Sequence, residues 1–214
     1  VALQSRDIWT RRTAHRLLLE QQDAGVADDL REMAKTTNRA DIRVHALSLL
    51  DAFQRLEPEM LRTALHDDDP QVREFAAGLT RTATSDADQM LSDLAALSTD
   101  TSPAVRHAAA LALGDSSRDE AASLLAKIAA QSEHDEWDRL AILSGISGRY
   151  KTFINDYLEA SDSVDPLLMR PIGRMMALDL PASDTEAMVD RVLAYSTDAE
   201  TWKREYLLGV LGAT

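Results

Sequence analysis

Residues 67–79 read DDDPQVREFAAGL, and residues 100–113 read DTSPAVRHAAALAL. In both stretches an acidic or hydroxyl side chain precedes a proline, and an arginine follows three positions later. Such a side chain accepts hydrogen bonds from the first N–H groups of a helix, and proline, which lacks an N–H, is well tolerated at the first helical position. The pattern predicts that Asp69 and Ser102 cap helices that begin at the next residue.

The same frame recurs along the chain at intervals of 30–34 residues, with a small residue three positions after each arginine in most copies. Its arginines are Arg11, Arg43, Arg73, Arg106, Arg139, Arg170 and Arg204. Between them lies a second segment with apolar residues at helical spacing, and no strand-like run intervenes. Alternation of this length is typical of stacked two-helix repeats. The sequence therefore predicts an all-α fold, an α-α superhelix or solenoid of about six helix pairs plus a truncated seventh.

We expect one solenoid over residues 1–214, a fragment of a longer protein because the chain begins and stops abruptly. The expected repeats are residues 7–36, 38–66, 69–98, 102–131, 135–160, 165–197 and an incomplete 200–214. The frame is looser where Arg39, Pro166 and Glu200 replace the capping residue, so these turns are expected to be built differently.

The repeated residues have an expected structural role. Each arginine should reach a carboxylate or an exposed carbonyl group at the turn of the adjoining repeat and so tie one repeat to the next. Asp7 and Asp135 stand four residues before Arg11 and Arg139, in the capping place. The residues assigned to this scaffold are Asp7, Arg11, Arg43, Asp69, Pro70, Arg73, Ser102, Pro103, Arg106, Asp135 and Arg139.

Composition excludes several classes of function. The chain has 36 acidic and 23 basic residues, a net charge of −13, which disfavours binding to nucleic acid and to anionic membranes. It has no cysteine, so it forms no disulfide, no thiolate zinc site and no covalent haem attachment of its own. No apolar run approaches the roughly 18 residues of a membrane span. We therefore expect no nucleic-acid partner and no direct membrane insertion.

Candidate chemical groups are few. The stretches His66–Asp69 and His134–Glu136 contain residue types that bind metals, but consecutive residues in a turn point in different directions, so solvated turns are favoured. His15, His45 and His107 are expected to be helix-surface or partly buried residues. No catalytic triad, paired-carboxylate motif or glycine-rich phosphate loop is recognisable. We expect no catalytic, cofactor-binding or metal-binding residue in this chain.

The tryptophans suggest a binding role. Trp9, Trp137 and Trp202 each stand two residues before a repeat arginine, where the other repeats have Asp41, Gln71, Ala104 and Leu168. Each ring either fills space against the preceding turn or anchors a partner, as aromatic residues often do at interfaces.

An acidic stripe follows the turns and is either a solvated face or a docking site for a basic protein such as a cytochrome c domain. Its residues are Asp67, Asp68, Asp69, Asp86, Asp88, Asp100, Asp115, Asp119, Glu133 and Asp135.

The stretches at 69–79 and 102–113 resemble HEAT repeats of the short bacterial kind. That resemblance implies a scaffold or a docking surface. The order of motifs over residues 8–146 is also similar to the HEAT region of the haem-containing membrane-bound dehydrogenases of the PVC type. The motifs are IWTRRTAHRLLLEQQD (8–23), RVHALSLLDAF (43–53), MLRTALHDDDPQVRE (60–74), SPAVRHAAALALG (102–114) and DEWDRLAILSGI (135–146).

Those dehydrogenases carry an N-terminal propeller of the sorbosone-dehydrogenase type, a HEAT segment and a C-terminal cytochrome c domain. The resemblance implies a non-catalytic module that links the dehydrogenase and cytochrome c domains of a parent protein. The parent would contain haem c and lie in the periplasm, and the partners would be other domains of the same polypeptide or another protein. Two alternatives stay open: an enzyme or ligand-binding protein on a HEAT-like scaffold, akin to bilin lyases or DNA glycosylases, and a free-standing cytoplasmic adaptor.

Overall fold

The computed structural model describes residues 2–22, 24–81, 90–131, 136–195 and 200–213. These residues form thirteen α-helices and no strand, so the predicted all-α, α-α superhelical fold class is confirmed. The helices are α1 Ile8–Gln21, α2 Ala27–Thr36, α3 Ala40–Ala52, α4 Pro58–Leu65, α5 Pro70–Leu79, α6 Leu91–Leu97, α7 Pro103–Gly114, α8 Glu120–Ala129, α9 Glu136–Gly145, α10 Tyr150–Ala160, α11 Pro166–Asp179, α12 Ala182–Ala194 and α13 Glu200–Leu211.

The helices follow the predicted order of first and second helices. The odd-numbered ones contain the repeat arginines and are called first helices below, whereas the even-numbered ones are called second helices. Proline stands at the first position of α4, α5, α7 and α11, where its missing N–H leaves no helical hydrogen bond unmade.

The chain divides into two compact units, Val1–Asp93 and Leu94–Thr214, and the division falls within α6. In unit 1, α1 packs against α3, α3 packs against α5, and α2 packs against α3. A core cluster fills this part of the unit, with Leu30 from α2, Leu49 and Leu50 from α3, and Met60 from α4. These side chains are removed from water, and such burial is the main favourable term in folding.

In unit 2 the first helices α7, α9, α11 and α13 pack in series, and the second helix α8 packs against α10. The predicted inward face of α7 is confirmed, because Val105, Ala109 and Leu113 are fully buried. Phe153 and Tyr157 of α10 are also fully buried, and their rings lie 5.6 Å apart between centroids.

Glycines set the closest approaches between helices of unit 2. A Cβ atom added at Gly145 of α9 would lie 2.7 Å from the Cα of Gly114 in α7. Between α11 and α13, a Cβ atom at Gly209 would lie 2.0 Å from the carbonyl oxygen of Arg170, and one at Gly173 would lie 2.3 Å from that of Tyr206. Any larger side chain at these three positions would push the paired helices apart.

Candidate interaction surfaces

Four repeat arginines make the same contact. Arg11, Arg43, Arg73 and Arg106 are each the fourth residue of a first helix. Each donates from Nη1, over 2.7–2.8 Å, to the carbonyl oxygen six positions earlier. The acceptors are Ser5, Thr37, Asp67 and Asp100. The arginine thus closes the turn that enters its own helix and satisfies a carbonyl group that the helix cannot reach.

A second contact of the repeat arginines runs to the next repeat. Arg11 Nη2 lies 2.9 Å from Oδ2 of Asp41 in α3, and Arg43 Nη2 lies 2.8 Å from Oδ1 of Asp67, in the turn before α5. We predicted a carboxylate or a carbonyl of the adjoining repeat. The structure uses both kinds of acceptor, but the carbonyl belongs to the arginine's own entry turn and the carboxylate to the following repeat.

In unit 2 the forward contact is made by Arg139, the fourth residue of α9 as described. Its Nε lies 2.8 Å from Oδ2 of Asp165, the residue that caps α11. Both side chains are about one-fifth exposed, so this pair is less screened by water than a surface ion pair.

The predicted frame is wrong by one residue at α11. Asp165, not Pro166, is the capping residue, because its side chain accepts from Leu167 N while Pro166 takes the first helical position. The fourth helical position is therefore held by Met169, which is fully buried, and Arg170 is mostly exposed. An arginine one position late is enough to mislead an alignment on arginines alone.

A lysine takes over the arginine's role at α13. Lys203 Nζ donates to the carbonyl oxygens of Leu193 and Tyr195 in the preceding segment. The side chain of Arg204, the arginine of the predicted frame, is exposed and makes no hydrogen bond or ion pair with the described parts of the chain. The sequence alignment at α13 was therefore wrong in the same way as at α11.

The predicted caps are confirmed at two of the four positions. Asp7 accepts from Thr10 N at 2.7 Å, and Asp69 accepts from Gln71 N at 2.9 Å. Ser102 occupies the cap position of α7 but makes no side-chain cap hydrogen bond; Asp100 instead accepts from Ser102 N at 2.8 Å. Asp135 lies outside the described residues. The same contact precedes α5, where Asp67 accepts from Asp69 N at 2.8 Å, so the two turns differ only in the missing side-chain cap of Ser102.

Replacing the cap of α5 tests the role of these turns. We expect Asp69→Ala to lower the free energy of unfolding by about 1 kcal/mol, because an N–H of the first turn loses its acceptor. Arg73→Ala should cost about 1–2 kcal/mol, since two carbonyl groups lose a charged donor. The measurement is urea unfolding followed by circular dichroism. Asp68→Ala is the control, because it removes a neighbouring exposed carboxylate and should leave the free energy of unfolding nearly unchanged. If Asp69→Ala and Arg73→Ala were also as stable as the unsubstituted chain, the scaffold role of the motif would be refuted.

In the middle of the chain, successive first helices have an arginine at the fourth helical position. Residues 58–147 match the family model for HEAT repeats. The match spans α4 to α9 and supports a HEAT-repeat protein. A search of curated proteins found no match to the chain.

HEAT repeats generally mediate protein–protein interaction, and exposed apolar side chains are the candidates for such contacts. Trp9 and Trp137 each occupy the second position of a first helix, and their side chains are 72% and 70% exposed. In α11 the same position holds Leu167, which is 65% exposed. Among the described first helices, α1, α9 and α11 therefore expose a large apolar side chain at the second position, whereas α3, α5, α7 and α13 have Asp41, Gln71, Ala104 and Thr201 there.

Trp202 does not belong with the other two tryptophans. It is only 1% exposed, packs edge-on against Tyr195 at 6.4 Å between ring centroids, and lies beneath the ammonium group of Lys203. The prediction of Trp202 as a partner contact is wrong, because α13 uses the ring to pack within its own unit.

Arg149 is a scaffold residue that sequence reasoning missed. It stands at the start of α10, outside the arginine frame, and its guanidinium donates to the carbonyl oxygens of Ser116 and Arg118 at 2.9 and 2.8 Å. It also donates to Gly114 and Gly145, at the carboxyl ends of α7 and α9, where a cation is favoured by the helix dipole. This role of Arg149 depends on the carboxyl ends of α7 and α9 lying close together in the fold, which the sequence around Arg149 does not indicate.

Two histidines from the neighbouring first helices α1 and α3 meet in unit 1. The Nδ1 atoms of His15 and His45 lie 3.1 Å apart, so one ring donates and the other accepts. Burial, and then the charge of His45, lower the pKa of His15. Burial, and then the charge of Arg11, lower the pKa of His45, although Asp41 acts in the opposite direction. Both rings are therefore held in the neutral form. The third histidine, His107, pairs with Asp138 at 2.9 Å.

This pair predicts a pH dependence of stability. Both folded pKa values lie below the ordinary value of 6.5, so the unfolded chain binds these protons first as the pH falls. Stability should be fully present above pH 6.5 and should decrease as the pH drops from there through the folded pKa values. Urea unfolding between about pH 7.5 and pH 5 should show this decrease.

The matched comparison is His15→Gln/His45→Gln, which should lose that part of the slope. Equal slopes for the two proteins would contradict the assignment.

A groove of about 370 Å³ lies on unit 1 between the ends of α2 and α4. Its lining is mixed: Leu47 and Met60 are apolar, while Lys35, Thr63 and His66 are polar. His66 is fixed by a 3.0 Å contact between Nε2 and the carboxylate of Asp93. The volume falls in the range of small-ligand sites, although the groove is open.

Three residues of the acidic stripe are used by the fold itself. Asp67 pairs with Arg43, Asp69 caps α5, and Asp100 holds the turn before α7. Asp86, Asp88, Glu133 and Asp135 lie outside the described residues. Among the described residues, no group of three or more His, Asp or Glu side chains is placed to hold a metal ion. None of the described helices has the length and apolarity needed to cross a membrane.

Proposed function

We propose that this chain is a non-catalytic protein-interaction module that joins the dehydrogenase and cytochrome c domains of a larger redox protein. The observation that carries the proposal is the pair of exposed tryptophans, Trp9 and Trp137, at one position of the first helices. Exposed aromatic side chains of this size are common anchors of interfaces. The HEAT match supports an interaction module, and the resemblance over residues 8–146 implies a multidomain protein in which these tryptophans would contact a neighbouring domain.

The distribution of charge supports an interaction role over a catalytic one. Most charged side chains near the turns are engaged within the fold, as Arg11 is with Asp41 and Arg139 with Asp165. These contacts give the charged side chains a structural role in the repeats. The exposed apolar side chains at the second position of α1, α9 and α11 are available to a partner.

The haem belongs, in this proposal, to the cytochrome c domain of the parent protein, because this chain has no cysteine to bind haem covalently. The parent would reside in the periplasm, where this chain would act as a spacer between the site of substrate oxidation and the electron acceptor. Other domains of the same polypeptide would then be its partners.

A ligand-binding role is the second candidate, and the groove between α2 and α4 is the observation that favours it. Its lining combines apolar side chains with two cations, Lys35 and Arg43, and two carboxylates, Asp67 and Asp68, which suits a small ligand with an apolar body and polar groups. A DNA-glycosylase-like role is opposed by the net charge of −13.

The proposed function is tested on the complete gene product, expressed in a host that attaches haem covalently. We expect a reduced-minus-oxidised spectrum with the band of a c-type haem. A complete gene product without such a band would refute the redox assignment and leave an interaction module with a different partner.

The contact residues are tested in the same protein. We expect Trp9→Ala and Trp137→Ala to speed proteolytic cleavage between the domains by several-fold, because anchors buried in an interface typically contribute about 2 kcal/mol or more. Leu178→Ala, which removes another largely exposed apolar side chain from α11, is the control. Equal cleavage rates in all variants would exclude the tryptophans as anchors.

A further inference from the structure

The two histidines that meet between α1 and α3 have nearly the geometry of a chelating pair. The Nδ1 atoms of His15 and His45 lie 3.1 Å apart, and the ring centroids lie 4.9 Å apart with the ring planes inclined by 54°. A zinc ion bound tetrahedrally by two imidazole nitrogens at about 2.05 Å separates those nitrogens by roughly 3.3 Å and the ring centroids by roughly 5.2 Å. The two rings would therefore need to move only slightly to bind one ion together.

A hydrogen bond alone would favour a straighter arrangement of the rings. With a straight Nδ1–H···Nδ1 bond of 3.1 Å, the ring centroids would lie roughly 5.4 Å apart. The observed separation is shorter, so the directions in which the two nitrogens point are bent away from the line that joins them. Such a bend is required when two imidazoles bind one tetrahedral ion, and a hydrogen bond does not require it.

The histidine pair forms one layer of the contact between α1 and α3. One turn towards the amino ends of the helices, Arg11 pairs with Asp41 at 2.9 Å. One turn towards the carboxyl ends, Leu49 belongs to the core cluster and Leu19 packs against that cluster. Both rings are partly exposed between these two layers. The ligands come from the sides of α1 and α3 that face each other, so the site is complete within these two helices.

The charge around the rings both favours and opposes a bound cation. Burial is the first cause that lowers the pKa of both histidines, so protons compete little with a metal ion near neutral pH. Arg11 and Arg12 lie close enough to His45 to repel a cation, whereas Asp41 attracts one. Because Arg11 is bonded to Asp41, part of that repulsion is offset. We therefore expect a weaker site than a zinc centre with three protein ligands.

We propose that His15 and His45 bind a zinc ion through their Nδ1 atoms, with water in the remaining positions of the tetrahedron. The ring whose Nδ1 carries a proton would release it and take one at Nε2, so both rings stay neutral and no net proton is lost. The ion would replace the hydrogen bond as the link between α1 and α3. Sequence analysis expected no metal ligand in this chain, because the two histidines are 30 positions apart and share no ligand motif. The proposal goes beyond the linking role and does not depend on it.

The test is a zinc titration of the untagged chain, freed of metal with a chelator, at about pH 7.5. Competition with a zinc-binding dye measures the affinity, and proton–nitrogen correlation spectra of the histidine rings report which nitrogen carries each proton. We expect saturable binding and the loss of the Nδ1–H tautomer from the His15–His45 pair. We also expect protection against thermal unfolding that grows with the zinc concentration, because the ion binds the folded chain.

Variants locate the site. His15→Gln and His45→Gln should each weaken zinc binding by about tenfold or more, because one ligand cannot chelate the ion. Circular dichroism verifies that these variants fold. His66→Gln and His107→Gln are the matched controls, since each of these histidines contacts a single aspartate and should leave the affinity unchanged when replaced.

Four results would overturn the proposal. These are no binding at about 1 mM zinc, an affinity that both His15→Gln and His45→Gln leave unchanged, loss of binding in a control variant, and an Nδ1–H tautomer that persists when zinc is bound. An unchanged affinity would assign the zinc to carboxylates, and loss in a control variant would assign it to a histidine–aspartate pair. The tautomer measurement uses the unsubstituted chain, so it decides the question even if the variants do not fold. None of these results bears on the haem spectrum or on the Trp9 and Trp137 variants.

Discussion

Gly209→Ala should lower the free energy of unfolding of unit 2 by about 3 kcal/mol. The added methyl group would lie 2.0 Å from the carbonyl oxygen of Arg170, in the backbone of α11, and a backbone oxygen cannot move aside as a flexible side chain can. The helices α11 and α13 would have to separate, and the packing of Trp202 and Tyr206 would be lost with them. The measurement is urea unfolding followed by Trp202 fluorescence, in a chain with Trp9 and Trp137 replaced by phenylalanine.

Gly78→Ala provides the matched control. Gly78 also lies inside a helix, α5, but a Cβ atom there meets nothing within 4 Å. Alanine costs less conformational entropy than glycine in a helix, so this change should stabilise the protein by about 0.5–1 kcal/mol. Opposite signs for the two substitutions are expected; a stabilising Gly209→Ala would contradict the observed spacing of α11 and α13.

Arg43→Ala is expected to have the second large effect, a loss of about 3 kcal/mol. The guanidinium of Arg43 joins the Thr37 carbonyl group to the Asp67 carboxylate, and the side chains of Arg43 and Asp67 are only 15% and 16% exposed. Removing the arginine leaves a carboxylate without its cation and a carbonyl group without its donor. The cost is below that of a fully buried pair because some water reaches both groups.

A double-mutant cycle with Asp67→Ala separates the ion pair from the carbonyl contact. We expect a coupling energy of about 1 kcal/mol or more between the two substitutions. Arg16→Ala is the reference for an exposed arginine, since its 3.6 Å contact with Glu20 is open to solvent and should contribute less than about 0.5 kcal/mol. If Arg43→Ala lowered the free energy of unfolding no more than Arg16→Ala, the contacts of Arg43 with Thr37 and Asp67 would not contribute to stability.

The features that sequence analysis predicted correctly are local ones. Helix order, the proline at the first helical position and the caps at Asp7 and Asp69 depend on residues within a few positions of each other. The apolar spacing that predicted the buried face of α7 is equally local. These signals are strong because a helix end must satisfy its own N–H groups whatever lies around it.

Features that depend on distant parts of the chain were missed or misassigned. Arg149 acts on carbonyl groups more than thirty positions earlier, and no spacing in its own segment indicates this. Arg170 was placed in the repeat frame because it is an arginine at nearly the right interval, whereas Met169 holds the position. The burial of Trp202 follows from the packing of α13 on its neighbours, which the motif around the residue does not specify.

The candidate surface was predicted in part. Sequence spacing singled out Trp9 and Trp137, and the structure places both in solvent, but whether they bind a partner stays a prediction. The repeat boundaries also stay a prediction.

The carboxylates of unit 1 form a series in which Asp41 holds Arg11 and Arg39, Asp67 holds Arg43, and Asp93 contacts His66. Under a stretching force, these ion pairs would break one at a time and could form again, because each ion pair joins only neighbouring turns. Added salt would weaken the exposed ion pairs first, so unit 1 would extend more easily while its leucine core stays folded. Unit 1 would thus be a spring whose stiffness depends on ionic strength.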